Sequence, residues 1–393
     1  MSLTNKPHVI IIGAGFTGCA TAHDLALRGF DITVVERGEI ASGTSGRTHG
    51  LLHSGARYCV NDPEAALECI EENATLRKIA RPCIEFNGGI FIALDESDLA
   101  YADSFIEGIN SCHIQVNELK PAHVLAQEPN LNPHILAAYA VPDGAFDPLR
   151  LALAFAATSK ENGAHFLLHH EVQELMVDGQ GNICGVKTWD RHADRKIDIK
   201  GDMVVNATGA WAGQIAGLAG VRVPVIPTPG VMVAYNQRLV QHVINRLNVP
   251  GDGDIVLPQR RMSVIGTTSF TVEDVDYIPV TDEQIRLMYE RACALVPAIR
   301  QAHQRGAYMS ARPLIGSSVQ GRSLSRTFKC YDHQESDGVT GFVTITGGKA
   351  TTCRAMAEKT ADLVCRKLGI LAECRTKEME LTSYRKFYLY GYS

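Results

Sequence analysis

The chain has 393 residues, 45% of them hydrophobic and 21% charged, which is typical of a globular enzyme with more than one domain. Its formal net charge of -5 excludes the strongly basic surface that most nucleic-acid-binding proteins carry. The 11 cysteines include no C-x-x-C pair, which excludes the common iron–sulfur, zinc-ribbon and thiol-redox spacings and favours a reducing, cytoplasmic location.

A strand, a helix and a second strand are predicted at the start of the chain. Residues 8–12 are apolar and β-branched, as in a buried parallel strand. Glycines then follow at the dinucleotide-binding spacing. Gly13 allows a tight turn, Gly15 allows close approach of a pyrophosphate, and Gly18 allows the helix to pack on the strand. The second strand ends in Glu36, where an acid can bind the adenosine ribose of NAD or FAD.

The segment after the second strand favours FAD over a nicotinamide cofactor. Residues 40–58 are rich in glycine, serine and threonine, so their backbone can bend closely around a long, extended ligand. Two later strands also end in turns of small residues, at 203–213 and 341–352. The second of these turns contains Gly347, Gly348 and Lys349 just before a predicted helix, where free N–H groups can face a ligand.

The chain resembles the catalytic component of anaerobic glycerol-3-phosphate dehydrogenase, within the D-amino-acid-oxidase-like flavoprotein superfamily. The supporting segments occur in order along the chain: Gly13–Gly18, Thr48–Tyr58, Val141–Leu151, Val204–Ala216, Gln241–Arg246, Ser263–Ser269, Ala311–Ser318 and Phe342–Glu358. The resemblance implies an α/β fold with a Rossmann-like FAD-binding domain and an interleaved α+β substrate domain on a mainly antiparallel sheet. The implied division is 1–85, 143–224 and 326–372 for FAD, 86–142 and 225–325 for substrate, and 373–393 for a tail.

The resemblance also implies the reaction and the cofactor contacts. The expected enzyme oxidises sn-glycerol 3-phosphate, or a similar polyol phosphate, to dihydroxyacetone phosphate by hydride transfer to FAD N5. Electrons would then pass to a quinone or to a partner redox subunit. The residues expected at FAD are Gly13, Gly15, Phe16, Thr17, Gly18, Glu36, Arg37, Ser42, Thr44, Ser45, His49, Gly50, Leu51, Val172, Ala207, Thr208, Gly209, Trp211, Arg312, Gly347, Gly348, Lys349, Ala350 and Thr351.

Three arginines and one lysine are the candidate cations at the substrate. Arginine suits a phosphate because its planar guanidinium forms paired, charge-assisted hydrogen bonds. The resemblance places Arg57 and Arg312 at the substrate, with Arg326 in support. Lys349 would stabilise the negative charge that develops on the reduced flavin.

The proton acceptor is left open between two histidines. His49 and His53 are the candidates, because histidine can accept and release a proton near neutral pH. Tyr58 would orient the substrate. The chain also departs from its relatives: where a histidine falls in the aerobic enzymes it has Met232, and it has Cys353 where a tyrosine is expected. The first departure leaves the catalytic base open and allows a different substrate, and the second removes a possible hydroxyl.

Two other functions remain open, as does the electron acceptor. The chain could act on a 2-hydroxy acid or amino acid, or it could be a non-catalytic FAD-binding subunit of a complex. The anaerobic relatives normally carry a cysteine-rich C-terminal domain, whereas the tail here has no paired cysteines, so a partner chain or another route is expected to carry electrons. Residues 384–393 mix aromatic and cationic residues, which favours either a membrane or partner surface or packing on the body.

From the composition and the resemblance together, we expect no metal, no nucleic-acid partner and no transmembrane helix, and a location in the cytoplasm or on the cytoplasmic face of the inner membrane.

Overall fold

A computed structural model describes residues 6–272, 274–316 and 325–389. Within them the helices are α1 Phe16–Leu27, α2 Pro63–Ile79, α3 Glu96–Ala100, α4 Ala102–Ser111, α5 Pro121–Gln127, α6 Pro148–Glu161, α7 Ala212–Gly217, α8 Asp282–Leu295, α9 His333–Asp337, α10 Cys353–Leu368 and α11 Lys386–Leu389. The strands are β1 His8–Ile12, β2 Asp31–Val35, β3 Leu51–Leu52, β4 Ile84–Glu85, β5 Gly89–Ala93, β6 Asn117–Leu119, β7 Ala137–Val141, β8 Gly144–Phe146, β9 His165–Leu167, β10 His170–Val177, β11 Ile183–Asp190, β12 Arg195–Lys200, β13 Met203–Asn206, β14 Val225–Tyr235, β15 Val243–Arg246, β16 Ile255–Gln259, β17 Met262–Gly266, β18 Gln304–Ile315, β19 Phe328–Asp332 and β20 Phe342–Gly347.

The first sheet has the strand order β19-β20-β13-β1-β2-β9. Its pairings are parallel except for the antiparallel edge strand β19. Because successive side chains on a strand point to opposite faces, β1 divides its residues between two cores. Val9 and Ile11 pack with α1, α6 and α10, whereas Ile10 and Ile12 pack with the β10-β11-β12 meander. Covering both faces in this way explains why β1 is apolar throughout.

The second sheet has eight strands in the order β18-β14-β17-β16-β15-β5-β7-β6. Every pairing in it is antiparallel except that between β5 and β15. Its strands come from two stretches of the chain, 89–141 and 225–315, and α8 packs on it through a second apolar core. The predicted fold class, a Rossmann-like unit with an interleaved, mainly antiparallel sheet, is therefore confirmed.

The described part of the C-terminal tail packs on the body of the protein. The ring of Phe387 is 3% exposed and meets Phe166 edge to face, with the ring centroids 5.8 Å apart. Thr376 accepts a hydrogen bond from the buried Arg354. Tyr388 and Leu389 remain exposed, and residues 390–393 of the predicted aromatic tail lie outside the described residues. Across the described ranges, no helix combines the length and apolar character needed to span a membrane.

Candidate cofactor and substrate site

A cavity of about 1460 Å³ opens where the carboxyl ends of β1, β2, β13 and β20 face the second sheet. Ligands of open α/β sheets bind at this end of the strands. The volume exceeds the roughly 300–1,000 Å³ of an ordinary small-molecule site, so the cavity can take a dinucleotide together with a substrate. The predicted site residues line it, Arg326 included, apart from Gly18, Gly50 and Thr351.

Those three residues lie behind the cavity wall and support it. A Cβ on Gly18 would come within 1.9 Å of the Gly13 carbonyl oxygen, so α1 can approach the turn only if this residue is glycine. Gly50 has a φ of +85°, and a Cβ there would lie 2.5 Å from the Phe146 carbonyl oxygen. The hydroxyl of Thr351 accepts a hydrogen bond of 3.1 Å from the backbone N–H of His53.

The turn between β1 and α1 has the properties of a pyrophosphate site. Gly13 has a φ of +102°, and a Cβ would lie 2.9 Å from the Ala207 carbonyl oxygen. At Gly15 a Cβ would lie 2.9 Å from Oγ of Ser45, in the space that a phosphate would approach. The N-cap residue of α1 is Gly15, the first turn contains no acid, and the N–H of Phe16 donates to the neutral hydroxyl of Ser45 at 2.9 Å. The positive end of this helix is thus left to attract an anion.

The adenosine end of the cavity is organised by Glu36 and Arg37. The Glu36 carboxylate accepts hydrogen bonds from the backbone N–H groups of Ala14 at 2.8 Å and Gly38 at 2.9 Å, which fix it at the end of β2. The Arg37 guanidinium stacks 4.6 Å from the centre of a Trp211 ring and pairs with Asp276 at 2.7 Å. These contacts leave a wall suited to a ribose and a flat base, with Val172 of β10 beside it. The described residues therefore fit a dinucleotide cofactor.

At the opposite end, Arg312 is held by the backbone of the second sheet. Its Nη1 donates to Oγ1 of Thr267 at 2.9 Å, and its Nη2 donates to the carbonyl oxygens of Pro229 and Thr268 at 3.1 and 2.9 Å. Its Nε has no hydrogen-bond partner among the described residues. Burial, reinforced by the nearby Arg326, lowers the pKa of Arg312 to about 9, so the group stays charged at neutral pH.

Three further cations lie around Arg312 on the cavity wall. Arg57 pairs with Asp254 through Nη2, and its buried Nη1 has no partner in the described part of the chain. Burial lowers the pKa of Arg326, and Arg57 contributes to this shift in the same direction. Lys349 donates from Nζ to the carbonyl oxygen of Arg326 at 3.0 Å. We call Arg57, Arg312, Arg326 and Lys349 the cation cluster. The N–H groups of Arg57 and Arg312 that have no partner in the described residues suit a multiply charged anion.

The two candidate histidines lie beside the cation cluster, with their ring centroids 6.1 Å apart. Burial, followed by the charges of Arg312 and Arg57, lowers the pKa of His49 to about 4. The pKa of His53 is also well below its ordinary value, through burial and then through His49 and Lys349. Both rings are therefore neutral at pH 7, and each can take part in hydrogen bonding through one N–H and one lone pair.

Hydrogen bonds distinguish the two histidines. Nδ1 of His49 accepts the backbone N–H of Leu51 at 3.0 Å, so the proton of the neutral ring lies on Nε2. Nε2 of His53 lies 3.4 Å from the hydroxyl of Tyr58. In this geometry His49 can donate from Nε2, whereas Nε2 of His53 can either donate to or accept from the Tyr58 hydroxyl.

Several residues of the site were not predicted from the sequence. They are Asp62, Val249, Gly251, Asp254, Thr267, Thr268 and Asp276. Asp254 follows a Gly-Asp-Gly run that is typical of any solvent-exposed turn, and Thr267 and Thr268 follow a strand without a charged neighbour. Thr267 and Thr268 belong to the Ser263–Ser269 segment that supports the family resemblance, but no local pattern separates the other five residues from ordinary loop residues.

The two positions at which the sequence departs from its relatives lie behind the cavity wall. Met232 is 1% exposed on β14, and Cys353 is fully buried at the start of α10. A Cβ on Gly266 would approach both His49, at 3.1 Å, and Met232, at 3.5 Å. Gly266, which pairs with Met232 in the second sheet, therefore lies next to both Met232 and His49.

Comparisons with known proteins agree with this architecture. Residues 8–363 match the family model described as FAD dependent oxidoreductase. The chain is 42% identical to an anaerobic glycerol-3-phosphate dehydrogenase subunit of Haloferax volcanii, covering 98% of this chain and 68% of that protein. It is also 42% identical to the subunit of the same name in Escherichia coli K12, covering 95% and 69%. The glycerol-3-phosphate dehydrogenase structure from Bacillus halodurans, complexed with FAD, superposes with a TM-score of 0.73 at 22% identity, over 98% of this chain and 71% of that one.

The chain spans about two thirds of the length of the Haloferax and Escherichia relatives. The match to the family model nonetheless covers both sheets and nearly the whole cavity wall. FAD is therefore the cofactor of this fold, as residues 40–58 and the family resemblance predicted. The chain belongs to the FAD dependent oxidoreductases and, among them, to the family of these anaerobic glycerol-3-phosphate dehydrogenase subunits.

Proposed function

We propose that this protein oxidises sn-glycerol 3-phosphate to dihydroxyacetone phosphate, with FAD as the immediate acceptor. The observation that carries the proposal is the cation cluster, which presents unpartnered N–H groups of Arg57 and Arg312 at one end of a cofactor-sized cavity. The anaerobic glycerol-3-phosphate dehydrogenase subunits are relatives at 42% identity, which supports the same substrate.

The charge of the cluster favours a phosphate over a carboxylate. A phosphate monoester carries about −1.5 to −2 charges at pH 7, whereas the carboxylate of a hydroxy acid carries one. Of the four cations, Arg57 is paired with Asp254, and the backbone N–H of Arg326 is bound by Asp62. Arg312 has no carboxylate among its hydrogen-bond partners in the described residues. A phosphate would therefore meet the charge of Arg312 without competition from a carboxylate hydrogen-bonded to that side chain.

We assign different roles to the two histidines. His53 takes the proton of the substrate hydroxyl, because its ring is neutral and its Nε2 faces the site near Tyr58. His49 donates a hydrogen bond from Nε2 to the substrate oxygen, because its Nδ1 is already occupied by the backbone N–H of Leu51. Tyr58 orients the substrate between His53 and Lys349.

FAD, when bound, accepts the hydride from the carbon that carries the hydroxyl. Lys349 lies at the Gly347–Gly348 turn, both of whose glycines have a positive φ, +85° and +67°. A cation fixed at this turn stabilises negative charge that develops on a neighbouring ring system. Arg57, Arg312 and Arg326, which line the same cavity, would hold the substrate phosphate.

Electrons leave the protein through a quinone or a partner redox subunit. The exposed side chains of Tyr388 and Leu389, 56% and 77% exposed, are candidates for contact with a membrane surface or that partner. Deleting the whole tail would also remove Phe387 from its buried contact with Phe166. The double substitution Tyr388→Ser and Leu389→Ser is the cleaner test. An unchanged distribution between membrane and supernatant fractions would rule these two side chains out.

Anaerobic mixing of the purified holoprotein with candidate substrates tests the function. We expect sn-glycerol 3-phosphate to bleach the flavin band with formation of one equivalent of dihydroxyacetone phosphate. The alternatives are a 2-hydroxy acid and an amino acid such as L-lactate or L-proline, added under the same conditions. Bleaching by these alone would replace the proposed substrate. A flavin reduced by none of them would favour a non-catalytic FAD-binding role within a complex.

A further inference from the structure

The connection between β15 and β16 forms part of the cavity wall beside Arg57. Val249, Pro250 and Gly251 of this connection line the cavity. The connection ends at Asp254, which precedes the first residue of β16 and has a side chain that is 2% exposed. A carboxylate this deeply buried requires partners, because an isolated buried charge is costly.

The Asp254 carboxylate joins the connection to Arg57. Its Oδ2 accepts the backbone N–H of Gly251 at 2.6 Å and Nη2 of Arg57 at 3.1 Å. The same Nη2 lies 3.3 Å from the Gly251 carbonyl oxygen, to which it donates. One edge of the Arg57 guanidinium is therefore bound to a closed turn.

The other edge of the guanidinium is available. Nη1 of Arg57 is buried and has no hydrogen-bond partner within the described ranges, although Arg57 lines the cavity. An arginine side chain has several rotamers, and fixing it costs conformational entropy at the moment of binding unless the protein has already fixed it. In the folded protein, Asp254 already fixes the Arg57 side chain before any ligand binds, so this entropy is not lost at the moment of binding.

Building on the proposed function, we propose that Asp254 is a positioning residue that holds Arg57 by one edge and thereby directs its other edge at the substrate phosphate. It also neutralises part of the charge of the cation cluster, which keeps four partly buried cations compatible with folding. Asp254 does not contact the substrate itself. Its effect must therefore pass through Arg57.

A double-mutant cycle on the FAD-loaded protein tests this dependence. The variants are Asp254→Asn, Arg57→Ala and their combination. The probe is inorganic phosphate, whose binding is followed by perturbation of the flavin absorption band without turnover. We expect Asp254→Asn alone to raise the phosphate Kd about tenfold, the size of one charge-assisted hydrogen bond. In the Arg57→Ala background the same change should have an effect smaller than about twofold.

Steady-state kinetics provide a second measurement. Asp254→Asn should raise the KM for sn-glycerol 3-phosphate by a similar factor and change kcat less. Asp254→Glu, which restores the charge, should recover part of the loss and also serves if the asparagine variant does not fold. Asp98→Asn is the matched control, because Asp98 is equally buried and pairs with Arg246 but does not line the cavity. We expect it to leave the phosphate Kd unchanged.

Three results would overturn the positioning role. They are an unchanged phosphate Kd in Asp254→Asn, an equal loss with and without Arg57, and no phosphate binding by the unmodified protein. These outcomes are separate from failure of the proposed function. If the unmodified protein binds phosphate but is not reduced by sn-glycerol 3-phosphate, the substrate is wrong, while the cycle still decides whether Asp254 acts through Arg57.

Discussion

The ammonium group of Lys349 lies 4.6 Å from the centre of the Tyr58 ring, and the Tyr58 hydroxyl lies 3.4 Å from Nε2 of His53. This contact series runs from the glycine turn after β20 to the candidate base. Lys349 is also one of the groups that lower the pKa of His53. In the proposed mechanism Lys349 therefore has two effects: it stabilises charge near the flavin, and it helps to keep the proposed base His53 unprotonated.

Replacing Lys349 with Met should change both the rate and its pH dependence. We expect flavin reduction by sn-glycerol 3-phosphate to slow by about 100-fold, comparable to removal of one preorganised electrostatic donor. Removing the cation raises the pKa of His53, so the acid limb of kcat/KM should move to higher pH. Rapid mixing between about pH 5 and 8 measures both effects. Lys329→Met, at an exposed lysine outside the cavity, is the control, and an identical profile for both variants would disprove the role.

Replacing Arg312 with Ala should weaken substrate binding without loss of FAD. A buried hydrogen bond to a charged group contributes about 1.5–3 kcal/mol, so KM should rise by about 10- to 150-fold. The flavin content after gel filtration should stay the same, because Arg312 lies at the opposite end of the cavity from Glu36. Arg305→Ala removes an exposed arginine of the same strand for comparison. Wild-type kinetics in Arg312→Ala would exclude this residue from the site.

Gly18→Ala should impair FAD binding although the residue does not line the cavity. The added Cβ would lie 1.9 Å from the Gly13 carbonyl oxygen, so α1 and the turn must separate. We expect most of the protein to be purified without flavin and to require a much higher FAD concentration for reconstitution. Gly217→Ala is the control, since its Cβ would meet no atom within 4 Å. Equal flavin content in the two variants would show that the turn tolerates the shift.

His23 should make the protein sensitive to acid. It is fully buried on α1, neither ring nitrogen has a partner in the described part of the chain, and burial lowers its pKa from 6.5 to about 4. Between these values the unfolded chain binds a proton that the native protein does not, so stability is lost as the pH falls. The loss is about 2 kcal/mol by pH 5. Urea unfolding of His23→Leu should therefore lose less stability between about pH 7 and 5 than the unmodified protein. Parallel losses would contradict this assignment.

The fold and the phosphate-binding turn were predictable because their signals are local. Gly13, Gly15, Gly18 and Glu36 lie within two strands and one helix that are consecutive in the chain. Each residue type is required there by the backbone or by the ligand. The similarity to known flavoproteins extended this prediction to the residues around the later turns, including Lys349 and Trp211.

The arrangement at the substrate end could not be predicted, because it depends on contacts between distant parts of the chain. Arg57 and Asp254 are separated by 197 positions, and neither sequence context specifies the other. The tautomer of His49 depends on its hydrogen bond to the backbone of Leu51, which follows from the local turn geometry and not from the residue types. The sequence therefore left the base open between two histidines, and the assignment of His53 is a proposal that rests on its position beside Tyr58.

The most direct test of the account compares sn-glycerol 3-phosphate carrying hydrogen or deuterium at the carbon that bears the secondary hydroxyl. The holoprotein is mixed with each under anaerobic conditions, and bleaching of the flavin band is followed in a single turnover. We expect complete bleaching by both, with the deuterated substrate reacting several-fold more slowly, because that carbon–hydrogen bond breaks as the flavin is reduced. A flavin band that neither substrate bleaches, while the bound FAD remains reducible by dithionite, would contradict it.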